Sequence, residues 1–316
     1  MSELGAPAAG SVVTVGSFDG LHRGHRAVVA ETIARARDAN RLSVVVTFEP
    51  HPAAVLSARP TARLTAGAER LEVLTELGLD RLVVLRFDRA LAALDFETFV
   101  AEVLVRRCAM RELVIGADHG FGKGRSGDRR TLPALGERMG FGVTIVGPVP
   151  DARGEAISST KIRAALAEGN LERVAEWLGR PYRVTGRVVP GAGRGRSIGV
   201  PTLNLEPPDP DKALPPDGVY AARVEWAGGV AGAMLNQGPR PTVGDRRLSI
   251  EAHLFGFEGN LYGRMVRIEW AARLRDVRRF DSLDALRRQL ELDKEGALAA
   301  LTATPGTSTA SPVEAR

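Results

Sequence analysis

The chain has 316 residues, of which 44% are hydrophobic and 26% are charged, with 35 glycines and 19 prolines. These proportions are typical of a folded globular protein of about two domains, and they exclude collagen-like, wholly disordered and coiled-coil proteins. The formal net charge of +5 suits anionic ligands but is too small to require a nucleic acid partner. The single cysteine excludes an intramolecular disulfide bond.

The sequence carries no evident targeting or membrane signal. No run of about 18 apolar residues occurs, so we expect no membrane-spanning helix. The first residues lack a basic start followed by an apolar core, so we expect no signal peptide and a cytoplasmic location. Only 5% of the residues are aromatic and the basic residues are dispersed, so we expect neither nucleic acid nor membrane as a partner. The sequence leaves a homo-oligomer open.

The first half of the chain alternates between two patterns. Short apolar runs occur at Ser11–Val15, Leu42–Thr47, Arg81–Leu85, Glu112–Ile115 and Val143–Val146. Between them lie helical stretches at Arg26–Asn40, Glu69–Leu77, Phe96–Arg107 and Leu132–Met139. This alternation predicts an α/β domain with a parallel sheet covered on both faces. Ligands of such sheets bind beyond the carboxyl ends of the strands.

The first run leads into a glycine-rich loop, Gly16-Ser17-Phe18-Asp19-Gly20-Leu21-His22-Arg23-Gly24-His25. Glycines let the backbone approach a ligand closely, and the N-terminus of the next helix directs free N–H groups at negative charge. His22 and His25 can donate ring N–H bonds to phosphate oxygens. The alternative is an ordinary strand–helix turn with a capping histidine, which we favour for one histidine alone but not for HxGH in this position.

Four segments occur in the order of one enzyme family. They are the loop just quoted and residues 48–52, 116–122 and 157–163, with the sequences FEPHP, GADHGFG and ISSTKIR. They resemble the signatures of nucleotidyltransferases, in the form found in the FAD synthetase half of bacterial bifunctional riboflavin kinase/FAD synthetases. The resemblance implies a Rossmann-like fold and adenylyl transfer from ATP to FMN, with release of pyrophosphate. One departure is His119-Gly120, which replaces a more usual aromatic–basic pair.

The resemblance also assigns residues to this site. The residues that it makes catalytic, through contacts with phosphates, are His22, His25 and Arg163. Those that it places at the nucleotide are Gly16, Phe18, Asp19, Gly24, Asp118, Ser158, Ser159 and Thr160, and those at the flavin are His51 and Phe121. Simpler alternatives exist at three places. Asp19 can merely hold its loop, which we favour; Ser159 and Thr160 can form a plain helix N-cap; and His51 can shape a rigid turn.

Residues 122–127, GKGRSG, fit the GxGxxG pattern of dinucleotide-binding proteins. That fingerprint should open the first βαβ unit, whereas this segment follows a late strand. We therefore expect a basic loop over the phosphates. No GxxxxGK[ST] segment occurs, which excludes a P-loop kinase.

The pattern changes in the second half. Two helical stretches, Thr160–Ala167 and Leu171–Leu178, precede a break at residues 179–181. Short β-rich runs between Gly/Pro turns then predict an antiparallel barrel or sandwich, namely Tyr182–Val189, Val219–Trp226, Ala231–Leu235, Ser249–Leu254 and Met265–Trp270. Ser282–Leu292 is predicted to be a closing helix, and the polar Thr/Ser/Pro tail is expected to be disordered.

Residues 195–204, GRSIGVPTLN, resemble the GRxxGxPTxN signature of riboflavin kinases, which are six-stranded Greek-key barrels. Thr202 and Asn204 alternate along an extended segment and so project to one face, where their oxygens suit Mg²⁺. By the resemblance, Gly195, Arg196 and Pro201 bind ATP. The alternative is a surface glycine-rich turn.

Residues 236–242, NQGPRPT, resemble the NxGxxPT segment of the same family, and a strand with Glu251 follows. The resemblance makes Glu251 the general base, which would take the proton of the terminal ribityl hydroxyl as that oxygen attacks the γ-phosphate of ATP. A glutamate among apolar strand residues is otherwise just part of a solvated face. Arg275, in a segment like the LR…F…D ending of the family, is expected to contact the flavin, with a surface arginine as the alternative.

We therefore expect an α/β Rossmann-like nucleotidyltransferase domain over residues 1–180, an all-β Greek-key riboflavin kinase barrel with a C-terminal helix over 181–300, and a disordered tail over 301–316. The expected enzyme phosphorylates riboflavin to FMN in the barrel and adenylylates FMN to FAD in the first domain, with ATP as co-substrate and Mg²⁺ as cofactor. One alternative is a single active module beside a flavin-binding regulatory domain. Another is a nucleotidyltransferase for a different acceptor, such as a pantetheine phosphate, which leaves the barrel unexplained.

Overall fold

A computed structural model of the chain describes residues 9–58, 62–191, 195, 198–206, 209, 211–239 and 248–303. The chain divides into two compact units, Met1–Ser159 and Thr160–Arg316. This division lies earlier in the chain than the expected boundary at residue 180, because the helix over Leu171–Leu178 packs on strands of the second unit.

A five-stranded parallel sheet forms the centre of the first unit, in the order β3-β2-β1-β4-β7. Its strands are β1 Ser11–Val15, β2 Leu42–Glu49, β3 Arg81–Arg86, β4 Met110–Gly116 and β7 Gly142–Val146. The central strand β1 is buried along its whole length. Val13 and Val15 enter one core cluster and Val12 enters another, because alternate strand residues face opposite sides of the sheet. The sheet is therefore covered on both faces, as predicted.

The helices of the first unit are α1 Arg23–Asp38, α2 Pro52–Leu56, α3 Ala68–Thr75, α4 Arg89–Ala93, α5 Phe96–Phe99, α6 Arg106–Cys108 and α7 Leu132–Met139. A short hairpin of β5 Gly120–Phe121 and β6 Gly127–Asp128 follows β4. The predicted helical stretch Phe96–Arg107 is helical along its whole length, but its middle part is the π-helix Val100–Val105 between α5 and α6. Its buried side chains Val100, Val103 and Leu104 all enter the main core cluster, and this packing stabilises the wider turns.

The second unit begins with α8 Ser159–Ala167 and α9 Leu171–Leu178, followed by a closed six-stranded barrel in the order β10-β11-β12-β9-β8-β13. The strands are β8 Tyr182–Val189, β9 Leu203–Glu206, β10 Gly218–Trp226, β11 Gly229–Pro239, β12 Leu248–Leu254 and β13 Met265–Arg275. All six pairings are antiparallel. The sheet closes on itself, which confirms a barrel rather than a sandwich.

A long helix, α10 Leu283–Ala303, covers part of the outer face of the barrel. Ala297 is fully buried against Ala221 and Met234 of β10 and β11. The predicted closing helix Ser282–Leu292 is therefore too short, because the alanine- and leucine-rich residues after it continue the helix and pack. Residues 301–303 of the expected tail are helical, and residues 304–316 lie outside the described residues. Within the described ranges, no helix is long and apolar enough to cross a membrane.

Candidate functional site

The loops after β1, β2, β4 and β7 surround a cavity of about 900 Å³ at the carboxyl edge of the parallel sheet. This is the edge at which a parallel sheet is expected to bind its ligand. Apolar side chains form part of the wall, including Phe48, Leu56, Phe87, Leu91, Phe99 and Phe121. Polar side chains form the rest, including His22, His25, His51, Asp118, His119, Lys123, Arg125 and Ser159. Four of the five histidines of the chain therefore line this cavity.

The two histidines of the HxGH segment are stacked on each other. Their ring centroids lie 3.7 Å apart and the ring planes differ by 19°. His22 is the N-cap of α1, and its Nδ1 accepts a hydrogen bond from the backbone N–H of His25 at 3.4 Å. A Cβ on Gly24 would lie 3.2 Å from the His22 ring, so the glycine of the motif leaves room for that ring. The local sequence thus holds both imidazoles at the start of the helix.

The loop before His22 has a strained backbone. Phe18 and Leu21 have φ values of 49° and 43°, a region that side chains with a Cβ rarely occupy. Both are buried, so their packing opposes relaxation of the loop. Such strain is found where a functional loop is held in one conformation by its surroundings.

Asp19 fastens this loop to its neighbours. Its Oδ1 accepts from the backbone N–H of Thr65 at 3.1 Å, and the hydroxyl of Thr65 accepts from the N–H of Gly20 at 3.0 Å. The hydroxyl of Ser159 donates to the backbone carbonyl of Asp19 at 2.9 Å. The geometry agrees with the loop-holding role that we favour for Asp19.

A buried arginine joins the same loop to the end of β2. The guanidinium of Arg70, only 2% exposed, donates to the carbonyls of Ser17 at 3.4 Å and Phe48 at 2.8 Å and forms an ion pair with Glu49. Sequence reasoning missed Arg70, because nothing local distinguishes it from the other charges of α3.

The three clustered histidines are neutral at physiological pH. Burial lowers the pKa of His22 to about 4 and that of His119 to about 4, in the second case with help from the charge of Arg125. Burial, together with the neighbouring His22 and His119, lowers the pKa of His25 well below its usual range. Neutral imidazoles act as N–H donors rather than cations, so the positive charge facing an anion comes from Lys123 and Arg125.

The other residues expected at this site lie as follows. Gly16, Phe18, Gly24, Ser158, Phe121 and Asp118 all contribute to the cavity wall. The Asp118 carbonyl accepts from the guanidinium of Arg125 at 3.2 Å. His51 also lines the cavity, and its Nδ1 caps α2 by accepting from the N–H of Ala53 at 3.1 Å. The flavin contact expected of His51 stays a prediction.

Thr160 and Arg163 belong to the second unit, on α8, where the Arg163 guanidinium donates to the Thr160 hydroxyl at 3.4 Å. The sequence reasoning missed the contribution of His119 to the cavity wall, and noted His119-Gly120 only as a departure from the family pattern. The available signal was its position directly after a buried strand, in the same kind of loop as the other site residues.

A second polar cluster lies on the barrel. Strand register places Asn204 of β9 opposite Glu251 of β12, and Glu251 opposite Asn236 of β11. Side chains of directly opposed residues lie on one face, so these three form a polar row across the sheet. The neighbours Leu235, Ile250 and Ala252 point to the other face and are fully buried in the barrel interior.

Two features fix the polar row. The hydroxyl of Ser249 donates to Oε1 of Glu251 at 3.1 Å, which orients the carboxylate. Asn204 is only 6% exposed, and a Cβ on Gly191 would lie 2.1 Å from its Nδ2. Gly191 therefore forms a cradle for the Asn204 amide that no other residue type could form.

The glycine-rich segment before β9 forms a tight turn. The N–H of Val200 donates to the Gly195 carbonyl at 2.8 Å, and a Cβ on Gly195 would lie 2.2 Å from the carbonyl oxygen of Val200. The carbonyl of Pro201 accepts from Nδ1 of His253 at 2.8 Å, and Thr202 lies next to Gly195. Arg196 and residues 240–242 of the NQGPRPT segment lie outside the described residues.

Arg275 joins β13 to α10. Its guanidinium donates twice to the carboxylate of Asp293, at 2.8 and 2.6 Å, and lies 5.7 Å from the centre of the Phe280 ring. Asp293 is 4% exposed, so this is a buried ion pair. The pair holds the helix on the barrel, and the flavin contact expected of Arg275 stays a prediction.

Two families match this chain: FAD synthetase over residues 6–161 and riboflavin kinase over residues 178–301. The chain is 39% identical to the bifunctional riboflavin kinase/FMN adenylyltransferase of Escherichia coli (strain K12), over 295 residues that cover 92% of each protein. It is 34% identical to the protein of the same name from Bacillus subtilis (strain 168), over 91% of this chain and 92% of that one. A solved structure titled as a macrolide-efflux protein from Streptococcus pneumoniae matches with a TM-score of 0.84 and 33% identity, over 93% of this chain and 95% of that one.

Proposed function

The chain belongs to the family of bifunctional riboflavin kinase/FMN adenylyltransferases, and from that premise we propose that it makes FAD from riboflavin in two ATP-dependent steps. The observation that carries this proposal is the presence of two separate polar sites. One is the histidine-lined cavity of the first unit, and the other is the Asn204–Glu251–Asn236 row on the barrel.

Adenylyl transfer takes place in the cavity of the first unit. A phosphate oxygen of FMN attacks the α-phosphorus of ATP, and the bond from that phosphorus to the bridging oxygen breaks to release pyrophosphate. The protein needs no nucleophile of its own, so its task is to align two anions and balance their charge. His22 and His25 donate ring N–H bonds to phosphate oxygens, while Lys123 and Arg125 supply positive charge.

The apolar part of the same cavity suits the flat ring system of a flavin. Phe48, Phe99 and Phe121 pack on one another there, with centroid distances of 6.3 Å for Phe48–Phe99 and 5.5 Å for Phe99–Phe121. Burying an aromatic ring system against such side chains excludes water from the reacting phosphates at the other side of the cavity.

Phosphorylation of riboflavin takes place on the barrel. Glu251 accepts the proton of the terminal ribityl hydroxyl as that oxygen attacks the γ-phosphorus of ATP, and the bond from this phosphorus to the β–γ bridging oxygen breaks to release ADP. The hydrogen bond from Ser249 leaves one carboxylate oxygen of Glu251 oriented and the other available for the proton.

Mg²⁺ fits the donor set beside this glutamate. The Asn204 amide oxygen and the Thr202 hydroxyl are hard oxygen donors, and the Gly191 cradle holds the amide in place. Thr202 and Asn204 would hold the ion, which would neutralise phosphate charge.

The test is chromatography of flavins after incubation of the purified chain with riboflavin and MgATP. The parent protein should yield FMN and then FAD. Glu251→Ala should yield no FMN from riboflavin but still convert added FMN to FAD, while His22→Ala should accumulate FMN with little FAD. Glu225→Ala, on another strand of the same barrel, is the matched control and should behave as the parent does.

The same experiment separates the alternatives. A parent protein that converts added FMN but not riboflavin has a silent barrel, which corresponds to a single active module. A parent protein that converts neither flavin contradicts the proposed function as a whole.

A further inference from the structure

The fifth histidine of the chain, His253, belongs to the barrel. It lies on β12 two residues after Glu251, and alternate residues of a strand share a face, so its ring is on the face of the polar row. Its Nδ1 lies 2.8 Å from the carbonyl oxygen of Pro201. A carbonyl oxygen can only accept a hydrogen bond, so Nδ1 carries the hydrogen and donates it. The contact joins β12 to the segment that leads into β9.

This contact lies where the backbone ladder between β9 and β12 stops. The pairing of the two strands reaches Leu203 and Ala252, and the next position of the antiparallel register sets Thr202 opposite His253. Pro201 has no backbone N–H, so it cannot donate to a neighbouring strand. The His253 side chain therefore supplies, at the entry to β9, a link between the two segments that the backbone does not supply.

We propose that His253 is a positioning residue for the phosphorylation of riboflavin. By holding the Pro201 carbonyl, its ring fixes the Thr202 hydroxyl on the face of the polar row. The inference rests on the proposed phosphorylation and deepens it. Thr202 is then held from two sides, because a Cβ added to Gly195 would lie 3.4 Å from its hydroxyl oxygen. The glycine turn sets one side of Thr202 and the histidine sets the other.

Thr202 needs this support more than its partner does. Asn204 is paired within β9, and its amide lies against Gly191, whereas Thr202 precedes the strand. Both are proposed donors to Mg²⁺, an ion that requires near-ideal octahedral geometry with oxygen distances of about 2.0–2.1 Å. A misplacement of about 1 Å can cost on the order of a hundredfold in rate. The loss of one hydrogen bond at Pro201 should therefore be visible in the kinetics.

Three substitutions separate the hydrogen bond from the packing of the ring, which meets Phe255 edge to face at 5.9 Å. His253→Leu keeps apolar bulk there and removes the donor. His253→Asn places an amide N–H at the position of Nδ1, since both nitrogens are bonded to Cγ. His253→Gln places the N–H one bond further out. We expect kcat for riboflavin phosphorylation to fall about tenfold in His253→Leu and His253→Gln, and to stay within about threefold of the parent value in His253→Asn.

The dependence on Mg²⁺ gives a second kinetic readout. The Mg²⁺ concentration for half-maximal phosphorylation should rise about fivefold in His253→Leu, while KM for riboflavin should change less than about twofold. Adenylylation of added FMN is the internal control, since it uses the first unit and should be unchanged. Tryptophan fluorescence in urea reports on the second unit, which contains all three tryptophans, and checks that the barrel of each variant is folded in the assay.

A readout independent of activity is the tautomer of the ring. Long-range ¹H–¹⁵N spectra distinguish the two ring nitrogens, and the chain has only five histidines to resolve. The signal that disappears in His253→Asn identifies His253. In the parent protein its neutral ring should show a protonated Nδ1 and a bare Nε2. A ring protonated at Nε2 and bare at Nδ1 cannot donate to Pro201 and would contradict the contact.

The kinetic outcomes are equally decisive. A parent-like kcat in His253→Leu would show that phosphorylation does not need the contact and would overturn the inference. A kcat in His253→Asn as low as that in His253→Leu would assign the ring a packing role and also overturn it. If the parent protein makes no FMN, the proposed phosphorylation itself fails, while the tautomer still decides whether His253 holds Pro201.

Discussion

The two sites of this protein are built in different ways. In the first unit, the polar side chains come from loops that are distant in sequence, and a chain of hydrogen bonds from Ser159 to Asp19 and from Thr65 to Asp19 ties them together. On the barrel, Asn204, Glu251 and Asn236 are neighbours by strand register, and the backbone ladder alone places them in one row. The loop site therefore depends on side-chain contacts, whereas the barrel site depends on closure of the sheet.

The sites also differ in how they handle charge. Burial keeps His22, His25 and His119 of the first unit uncharged at neutral pH. In the Arg275–Asp293 pair, which joins the barrel to α10, it is the carboxylate that is buried, whereas the Glu49 partner of Arg70 in the first unit is 42% exposed. A buried neutral histidine is sensitive to pH, while a buried ion pair is sensitive to the loss of either partner.

The largest expected effect concerns the buried pair of the barrel. Asp293→Ala leaves the Arg275 guanidinium, 18% exposed, without its carboxylate, and should lower the free energy of unfolding by about 3 kcal/mol. All three tryptophans, Trp177, Trp226 and Trp270, lie in the second unit, so tryptophan fluorescence during urea unfolding measures this effect directly.

Asp276→Ala is the matched control, since this carboxylate is 83% exposed and pairs with Arg273. Its loss should cost less than about 1 kcal/mol. Equal effects of the two substitutions would show that the barrel does not depend on the buried pair and would break the comparison drawn above.

Acidification should lower the free energy of unfolding of the first unit, by slightly less than the loss expected for Asp293→Ala. The pKa of His119 is about 4 in the folded protein and 6.5 in the unfolded chain, so only the unfolded chain takes up this proton between those values. The stabilising contribution is complete above pH 6.5 and is lost as the pH falls towards 4. Between pH 7 and pH 4.5 this loss should amount to about 2 kcal/mol of the free energy of unfolding.

The measurement compares the parent protein with His119→Phe, by hydrogen exchange of the buried β1 amides at both pH values. The parent should lose more stability on acidification than the variant, and equal losses would contradict the prediction. In the barrel, burial raises the pKa of Glu269, so the contribution of this group to stability has the opposite pH dependence. It is complete below pH 4.5 and is lost as the pH rises.

The smallest expected effect concerns a glycine inside α10. Gly296 lies inside this helix, and an added Cβ would meet Leu274 at an ordinary contact distance of 3.6 Å. Gly296→Ala should raise the free energy of unfolding by about 0.5–1 kcal/mol, because alanine loses less conformational entropy in a helix. Gly169→Ala is the contrasting control: Gly169 has a φ of +75°, so alanine should destabilise there. Tryptophan fluorescence should resolve the two opposite shifts, and a loss of stability in Gly296→Ala would contradict the first.

The sequence by itself determined the features that depend on short-range patterns. The alternation of apolar runs and helical stretches identified every strand of the parallel sheet. Short runs between Gly/Pro turns predicted an antiparallel barrel or sandwich, and the resemblance to riboflavin kinases implied the barrel. The stacking of His22 on His25 is also local, because helix geometry brings an N-cap residue close to the residue three positions later.

Only the tertiary structure decided which distant groups meet. It brought His119 into the same cavity as His22 and His25, joined Asp19 to Thr65, and paired Arg275 with Asp293. It also made the middle of the predicted helical stretch Phe96–Arg107 a π-helix, Val100–Val105, and extended α10 to Ala303. The physical reason is the same in each case: the energies that select these arrangements come from burial and hydrogen bonding between segments far apart in the chain, and no local pattern records them.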